Sequence, residues 1–404
     1  MNLEDTKLVC TRCKKEYTAQ QSIIRCTACG DTLEVPLLKK GRIIDGHPMN
    51  QTIFERYQEF FPYFDVDSSL SMGEGFTPLI DMPRLADEVG VRKLYIKNES
   101  VNPTWSFKDR GSLAGIMRAI QLGYRCVGTL SSGNMAISVA AYGRRANLKT
   151  IILVNTHIDE EKLNPIAIYD PILIKVEGDY AALYDESLRI GQEQGIYFIN
   201  SDEPFRIEGY RTLAFEVCEQ TYFDVPDLVI VPTSAGGHFR GILKGFLDFK
   251  NSGLIDRIPT MVCAQTSGCA TINNAYERGL NEIERTPHPN TIAHCIENAF
   301  PPSGNEVLRA IRKYGGICVS VSDEKILDAQ RRLSRAGLFV QPGSAAPLAA
   351  IQKMHEDGML TGNERVVCVA TSSGLKYTSI LTRHHLTYHE TKLEDLSGYI
   401  ANLC

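Results

Sequence analysis

The ten residues 102–111 read Asn-Pro-Thr-Trp-Ser-Phe-Lys-Asp-Arg-Gly, between a short apolar run at 94–97 and a helix-length segment that begins near Ser112. The stretch therefore places Lys108 where a loop opens a helix. Lysines at such junctions usually face the solvent. What this lysine does, and which fold it belongs to, depends on the segments on either side of it.

Those segments alternate between two kinds of pattern. Short apolar runs, rich in β-branched residues, occur at 94–97, 126–130, 150–154, 172–175, 228–231, 261–264 and 366–369. Helix-length segments lie between them, among them 112–122, 136–145, 208–219 and 323–336. This alternation predicts an α/β fold with a mainly parallel sheet and helices on both faces. In such folds the ligand lies beyond the carboxyl ends of the strands, so the loops that follow the runs are the candidate site.

Three further loops follow predicted strands. Residues 131–136 read Ser-Ser-Gly-Asn-Met-Ala, residues 233–238 read Thr-Ser-Ala-Gly-Gly-His, and residues 371–374 read Thr-Ser-Ser-Gly. Glycines before a helix allow backbone N–H groups to close around an anion at the positive end of that helix. Taken singly each loop is a weak signal, because small polar residues in such places usually cap helices.

Composition limits the class of protein. The 404 residues are 43% hydrophobic, enough for more than one core, and their formal charge of −5 is scattered along the chain. Scattered charge argues against a nucleic-acid or membrane surface. No run reaches the roughly 18 apolar residues of a membrane span, and residues 1–12 lack the apolar run of a secretory signal. We therefore expect a cytoplasmic protein, with no nucleic-acid partner and no membrane partner.

Four of the twelve cysteines form two C-x-x-C pairs, Cys10 with Cys13 and Cys26 with Cys29, separated by twelve residues. Two such pairs complete a tetrahedral four-cysteine zinc site of the ribbon type, and four thiolates leave no open position for catalysis. A weakly binding remnant and redox use of one pair remain open alternatives. We divide the chain into a zinc ribbon at 1–35, a linker or arm at 36–69 and a body at 70–404.

Taken together, the loops resemble the threonine synthase family, which are fold type II pyridoxal-phosphate enzymes of the tryptophan synthase β superfamily. Residues 102–111 resemble the segment around the lysine that carries the cofactor. Residues 73–78, 200–209 and 339–345 resemble further family segments, and some members carry a cysteine-type ribbon. The resemblance covers nearly all of 70–376. It implies two open, twisted, mainly parallel sheets flanked by helices, a smaller mobile subdomain at about 110–200, and a homodimer.

The resemblance also implies roles for individual residues. Lys108 is the catalytic lysine and binds the cofactor aldehyde. Asn134 hydrogen-bonds the 3-oxygen of pyridoxal phosphate, and Thr371 faces its pyridine nitrogen. The cofactor phosphate is bound by Thr233, Ser234, Ala235, Gly236 and Gly237, with His238 at the edge of the loop. The predicted substrate-binding residues are Thr104, Trp105, Ser106, Ser131, Ser132, Met135 and Arg206.

Five differences from the family pattern lie around the same pocket. Trp105 stands where a glycine is usual, and Met135 replaces a threonine. Gly237 stands where the phosphate loop usually has an asparagine, Ser373 replaces a histidine, and Tyr210-Arg211 replace Gln-Lys. These differences concern the substrate more than the cofactor.

The sequence therefore leaves three candidate functions. The leading hypothesis is a threonine synthase, a lyase that converts the small amino acid O-phospho-L-homoserine and water to L-threonine and phosphate. The second is a related pyridoxal-phosphate lyase, or a β/γ-replacement enzyme, with another amino-acid substrate. The third is a zinc-ribbon binding protein on an inactive enzyme scaffold. A mild basic excess with few aromatic residues in 7–34 counts against the third.

Overall fold

The computed structural model describes residues 6–37, 40–46, 50–156, 158–178 and 180–403. In these ranges the strands form a three-stranded, a six-stranded and a four-stranded sheet. In chain order the strands are β1 (Lys7–Cys10), β2 (Glu16–Thr18), β3 (Leu33–Glu34), β4 (Leu79–Asp81), β5 (Lys93–Asn98), β6 (Cys126–Leu130), β7 (Lys149–Asn155), β8 (Ile172–Val176), β9 (Tyr197–Phe198), β10 (Leu228–Pro232), β11 (Thr260–Thr266), β12 (Ile317–Val321) and β13 (Arg365–Ala370).

The helices alternate with these strands. They are α1 (Ile53–Arg56), α2 (Pro83–Val89), α3 (Lys108–Gln121), α4 (Asn134–Arg145), α5 (Glu160–Ala167), α6 (Tyr180–Gln194), α7 (Pro204–Gln220), α8 (Gly237–Asn251), α9 (Thr271–Glu277), α10 (Gly304–Tyr314), α11 (Asp323–Arg335), α12 (Pro342–Glu356) and α13 (Leu396–Ala401). Among the described residues no helix is long and apolar enough to cross a membrane.

The six-stranded sheet has the order β12-β11-β10-β13-β5-β4, and its pairs are parallel except for β4 with β5. All five residues of β10 are buried. A strand reads as continuously apolar when helices cover both faces of its sheet. The carboxyl ends of β5, β10 and β13 meet at one edge of this sheet, so the loops after them are neighbours in space.

The four-stranded sheet has the order β8-β7-β6-β9 and is parallel throughout. Residues 131–133 follow β6 and lead into α4. The predicted α/β fold with two mainly parallel sheets is confirmed. The predicted boundary between a body and a smaller mobile subdomain stays a prediction.

The first helix of the site begins earlier than its sequence suggests. The prediction of a start near Ser112 was wrong by one turn, because α3 begins at Lys108. The Asp109 carboxylate accepts hydrogen bonds from the backbone N–H of Thr104 at 2.7 Å and from its hydroxyl at 2.6 Å. These bonds fold the preceding loop against the first turn, so the catalytic candidate is a helical residue rather than a loop residue.

The predicted arm carries a cluster of buried aromatic side chains: Phe54, Tyr57, Phe60, Phe61, Tyr63 and Phe64. Phe60 packs against Phe215 of α7 and Phe249 of α8, with ring centroids 4.8 Å and 5.2 Å apart. Aromatic pairs at this separation contribute beyond their buried area. The described part of the arm is therefore fixed on the two helices that support the larger sheet.

Candidate active site

A cavity of about 1150 Å³ lies at the carboxyl ends of the parallel strands. All four loops that the sequence singled out reach its wall, although they come from distant parts of the chain. The predicted residues that line it are Lys108, Ser131, Ser132, Asn134, Met135, Thr233, Ser234, Ala235, Gly236, Gly237, His238 and Thr371. The volume exceeds what one small ligand needs and suits a cofactor together with a substrate.

Lys108 lies in the first turn of α3, with Nζ 4.4 Å from the centroid of the Phe107 ring. Burial, with a smaller contribution from the nearby cations Arg206 and Lys376, lowers the pKa of Lys108 to about 7. A lysine is neutral above its pKa, so a substantial fraction carries a free amine at neutral pH. A neutral amine attacks a carbonyl carbon, which the ordinary ammonium form cannot do.

The loop between β10 and α8 presents the start of a 15-residue helix to the cavity. Gly236 precedes the helix with φ of +92°, a conformation that favours glycine. A Cβ atom on Gly237 would lie 2.7 Å from the Ser201 carbonyl oxygen. Glycine at both places therefore permits a tight turn that leads into the positive N-terminal end of α8, where free backbone N–H groups can bind phosphate.

His238 stacks on Phe107, with ring centroids 3.8 Å apart. Neither ring nitrogen has a hydrogen-bond partner within the described protein, although the residue is buried. Burial lowers the pKa of His238 well below its usual value, and the neighbouring Lys108 and Arg110 lower it further, so the ring is neutral. Buried polar atoms normally have partners, so an orphan imidazole on a cavity wall fits a polar ligand.

Asn134 and Thr371 also line the cavity. Asn134 opens α4 and donates from Nδ2 to Gln341 Oε1 at 2.8 Å, which uses one of the two hydrogens on its amide nitrogen. The Thr371 hydroxyl follows β13 and lies 2.8 Å from the Ser344 hydroxyl. Together with Lys108, the glycine loop and His238, these groups fit phosphorylated pyridoxal, with an amine for its aldehyde and an anion site for its phosphate.

Four predicted substrate residues are not among the described residues that line the cavity: Thr104, Trp105, Ser106 and Arg206. The Trp105 side chain is half exposed, and its carbonyl accepts from the Ser372 hydroxyl and the Ser373 N–H. Thr104 binds Asp109, as described above. The structure therefore places both of these residues in the loop before α3, outside the cavity lining.

Ser106 and Arg206 are fully buried, and each keeps a polar atom without a partner. Arg206 donates from Nε to the Tyr210 hydroxyl at 2.9 Å and from Nη1 to the Ser112 hydroxyl at 3.3 Å. Its Nη2 has no partner within the described residues. The Arg206 charge nevertheless reaches the site, because it lowers the pKa of Lys108.

Sequence reasoning missed two groups on the cavity wall. Lys376 stands two residues after the 371–374 loop, and its Nζ donates to the Thr104 carbonyl at 2.6 Å. Burial lowers its pKa to about 8. Its position just after a predicted site loop could have identified it as a candidate site residue. Cys295 lies in a short 3-10 helix, His294–Ile296, and nothing local in the sequence indicated that it would line the cavity.

The four cysteines of the predicted ribbon come together around β1 and β3. The ligand sulfurs of Cys10, Cys13, Cys26 and Cys29 lie within 4.8 Å of one another. Two pairs, Cys10 with Cys29 and Cys13 with Cys26, have Sγ atoms 3.5 Å apart. Four zinc–sulfur bonds of about 2.3 Å in a tetrahedron separate sulfurs by about 3.8 Å. The cluster has the size and ligand set of a structural zinc site.

Comparison with known proteins agrees with this geometry. Residues 70–372 match the family described as pyridoxal-phosphate dependent enzyme. Threonine synthase of Methanocaldococcus jannaschii is 37% identical over 380 residues, covering 91% of this chain and 92% of that protein. Threonine synthase of Methanosarcina acetivorans is 33% identical, with 91% and 92% coverage.

Solved structures with the same fold are more distant in sequence. An L-serine ammonia-lyase from Rhizomucor miehei has a TM-score of 0.66 and 21% identity, covering 77% of this chain and 98% of its own. Threonine deaminase isoform 2 from Solanum lycopersicum has a TM-score of 0.66 and 20% identity, covering 86% and 96%. At this identity the likeness concerns the fold.

Proposed function

The chain belongs to the pyridoxal-phosphate-dependent enzymes and, within them, to the threonine synthases, and on this premise we propose that it converts O-phospho-L-homoserine and water to L-threonine and phosphate. The observation that carries the proposal is the convergence of a partly buried lysine of lowered pKa and a glycine-rich helix start on one cavity. The lysine can bond an aldehyde and the helix start can bind a phosphate, so the two together suit a phosphorylated aldehyde that lies next to an amino acid.

The cofactor, when bound, withdraws electrons from the carbon atoms of the amino-acid substrate. Lys108 then moves the protons: as a neutral amine it removes one proton from Cα and one from Cβ of the substrate, and it returns one proton to Cγ and one to Cα. The C–O bond at Cγ breaks as phosphate leaves, the oxygen of water adds at Cβ, and the proton that the water loses goes to the phosphate. Thr371 offers a hydroxyl rather than a carboxylate to the pyridine nitrogen, which favours elimination and replacement over transamination.

We assign the remaining predicted residues on the same basis. Asn134 binds the 3-oxygen, while Thr233–Gly237 and the orphan imidazole of His238 bind the cofactor phosphate. Ser131, Ser132 and Met135 contact the substrate from the cavity wall. Thr104, Trp105, Ser106 and Arg206 act from behind the wall, Thr104 through Asp109 and Arg206 through its effect on Lys108. We also propose that the enzyme is a cytoplasmic homodimer.

A substrate panel tests the proposal. The holoenzyme is assayed for phosphate release from O-phospho-L-homoserine and from O-phospho-L-serine, and for 2-oxo-acid formation from L-serine and L-threonine. We expect phosphate release from O-phospho-L-homoserine to dominate by kcat/KM. Preference for one of the other substrates would favour the second candidate, a related lyase, which the apolar Met135 on the cavity wall also suits.

We propose that the four-cysteine cluster holds one structural zinc ion. Cys26→Ser is expected to reduce zinc content from one per chain to near zero, because removing one thiolate destroys a closed site. The visible absorbance of bound cofactor should remain, since the cysteines lie outside the cofactor loops. Cys126→Ser, at a cysteine outside the cluster, is the control. Full zinc content in Cys26→Ser, or none in the native protein, would contradict the assignment.

Lys376 is expected to bind an anionic group of the substrate. It is a partly buried ammonium with a backbone carbonyl as acceptor, and no carboxylate of the described residues lies within ion-pair distance of it. Lys376→Met should raise KM for O-phospho-L-homoserine by roughly 10- to 150-fold, the worth of a charged hydrogen bond. The wild-type KM should also rise with pH above about 8, because the ammonium loses its proton there.

Steady-state kinetics measures both effects. Lys376→Arg keeps the charge and should recover part of the affinity. Lys353→Met, at an exposed lysine paired with Asp357, is the matched control. An unchanged KM in Lys376→Met would exclude Lys376 from substrate binding.

A further inference from the structure

The predicted ribbon reaches the same cavity as the catalytic lysine. Five of its residues line that cavity: Arg12, Arg25, Cys29, Gly30 and Asp31. A ribbon that served only to stabilise the chain could pack anywhere on the body. This one forms part of the wall of the cavity that Lys108 also lines.

Arg25 connects the ribbon to both sides of the cavity. Its Nε lies 2.6 Å from Asp202 Oδ2, and its Nη2 donates to the Pro302 carbonyl at 3.1 Å. The other Asp202 oxygen accepts from the hydroxyl of Tyr184, which belongs to α6. Helix α6 packs with the four-stranded sheet, whereas Pro302 precedes α10 beside the larger sheet. One side chain therefore ties together the two halves of the structure that enclose the cavity.

Three further contacts hold the ribbon in this position. Arg309 of α10 lies 3.0 Å from Asp31, and Arg12 lies 2.7 Å from Glu282. Arg240 of α8 donates to the Leu33 carbonyl at 3.3 Å. The Arg12 pair is half exposed and contributes little, whereas Asp31 is buried. The docked turn of Gly30 and Asp31 is thus fixed as a part of the cavity wall.

We infer that the ribbon is one wall of the substrate cavity and that Arg25 is a positioning residue, which acts through Asp202 and Tyr184 to hold α6 at the substrate. The identity of the substrate rests on the proposed function, but the placement of α6 does not. Tyr184 and Leu188 of α6 line the cavity, so a shift of this helix changes the shape that the substrate meets.

The charge of Asp202 explains why Arg25 matters. Asp202 is fully buried and Arg25 is its cation. Removing the partner of a buried charge is costly, because the remaining charge has neither water nor counter-ion. The Tyr184 hydroxyl alone does not neutralise it. In Arg25→Ala the segment around Asp202 must therefore rearrange to reach water, and α6 moves with it.

The experiment uses the full-length holoenzyme and approaches the pair from both ends. Arg25→Ala removes the cation from the ribbon, and Asp202→Asn removes the charge from the body without touching the ribbon. We expect each to raise KM for O-phospho-L-homoserine by at least about tenfold with a smaller change in kcat. The double variant should be no worse than either single variant, because the two residues act as one unit.

Hydrogen–deuterium exchange supplies a readout that does not depend on activity. The amides of α6 should exchange faster in both variants, and Arg25→Lys should restore part of the protection by keeping the positive charge. Lys7→Ala, which removes an exposed ion pair with Glu16 in the same ribbon, is the matched control and should behave as wild type.

Either of two results would overturn the inference. One is α6 exchange in Asp202→Asn equal to that of Lys7→Ala. The other is faster exchange with an unchanged KM, which would leave the ribbon a structural unit only. If the wild-type enzyme does not convert O-phospho-L-homoserine, the proposed function fails. The inference is then decided by α6 exchange and by the rate at which hydroxylamine removes the cofactor, which should rise in both variants.

Discussion

Replacing Lys108 with alanine is expected to reduce kcat by at least about a thousandfold and to remove the covalent link between protein and cofactor. The amine of Lys108 has two tasks in this account, to bond the cofactor aldehyde and to move the substrate protons, and alanine performs neither. The lowered pKa of about 7 suits both tasks, because a substantial fraction of the amine is free of its proton at neutral pH.

Borohydride reduction followed by peptide mapping checks this directly. In the wild type the cofactor should be fixed on the peptide that contains Lys108, and in Lys108→Ala it should be lost on dialysis. Lys162 and Lys376 also line the cavity, so the map distinguishes three lysines. Lys353→Ala, at an exposed position, should match wild type. Cofactor fixed on Lys162 or Lys376 in the wild type would show that the site is assigned to the wrong lysine.

Arg110→Met is expected to destabilise the fold by about 3–5 kcal/mol, the usual cost of removing one partner from a buried ion pair. Arg110 lies in the first turn of α3, two residues after Lys108, with Nε 2.7 Å from Glu99 and Nη1 2.5 Å from Glu216. Lys97 lies 2.5 Å from Glu216, and all four side chains are buried. Two cations balance two carboxylates here, and methionine leaves one buried negative charge unbalanced.

Chemical denaturation of the two proteins measures this loss. Burial alone would raise the pKa of Glu99 and Glu216, but the Arg110 guanidinium reverses the shift, and their pKa is lowered. In the wild type these carboxylates therefore lose stabilising free energy as the pH falls. Without Arg110, burial dominates and the pKa of these carboxylates is raised. The difference in unfolding free energy between the wild type and Arg110→Met should therefore become smaller at acidic pH. The exposed Arg189→Met control should change stability by less than about 0.5 kcal/mol. A similarly small loss in Arg110→Met would contradict the account.

The sequence predicted the strands and the loops that line the cavity better than it predicted the contacts between remote segments. The run 126–130 has the bounds of β6, and the loops after β6, β10 and β13 reach the cavity as predicted. Buried parallel strands carry their own signal, since each must be continuously apolar whatever it packs against. The start of α3 was misplaced because the bonds from Thr104 to Asp109 that set it depend on the folded loop.

Contacts between remote segments left no local signal. Arg25 and Pro302 are 277 positions apart, and nothing near either residue indicates that they meet. The same holds for the aromatic cluster of the arm. The sequence of the arm is mixed and polar, and only the fold shows that its aromatic side chains pack against α7 and α8. For this reason the ribbon could be predicted as a metal site but not as a wall of the catalytic cavity.

The most direct test of the central claim is the product balance from O-phospho-L-homoserine. The holoenzyme is incubated with this substrate, and phosphate, threonine and 2-oxobutanoate are quantified from the same sample. A threonine synthase yields threonine and phosphate in equal amounts, because the water that adds at Cβ completes the replacement, and this is the result that we expect. Phosphate accompanied by 2-oxobutanoate in place of threonine, or no phosphate at all, would contradict the account.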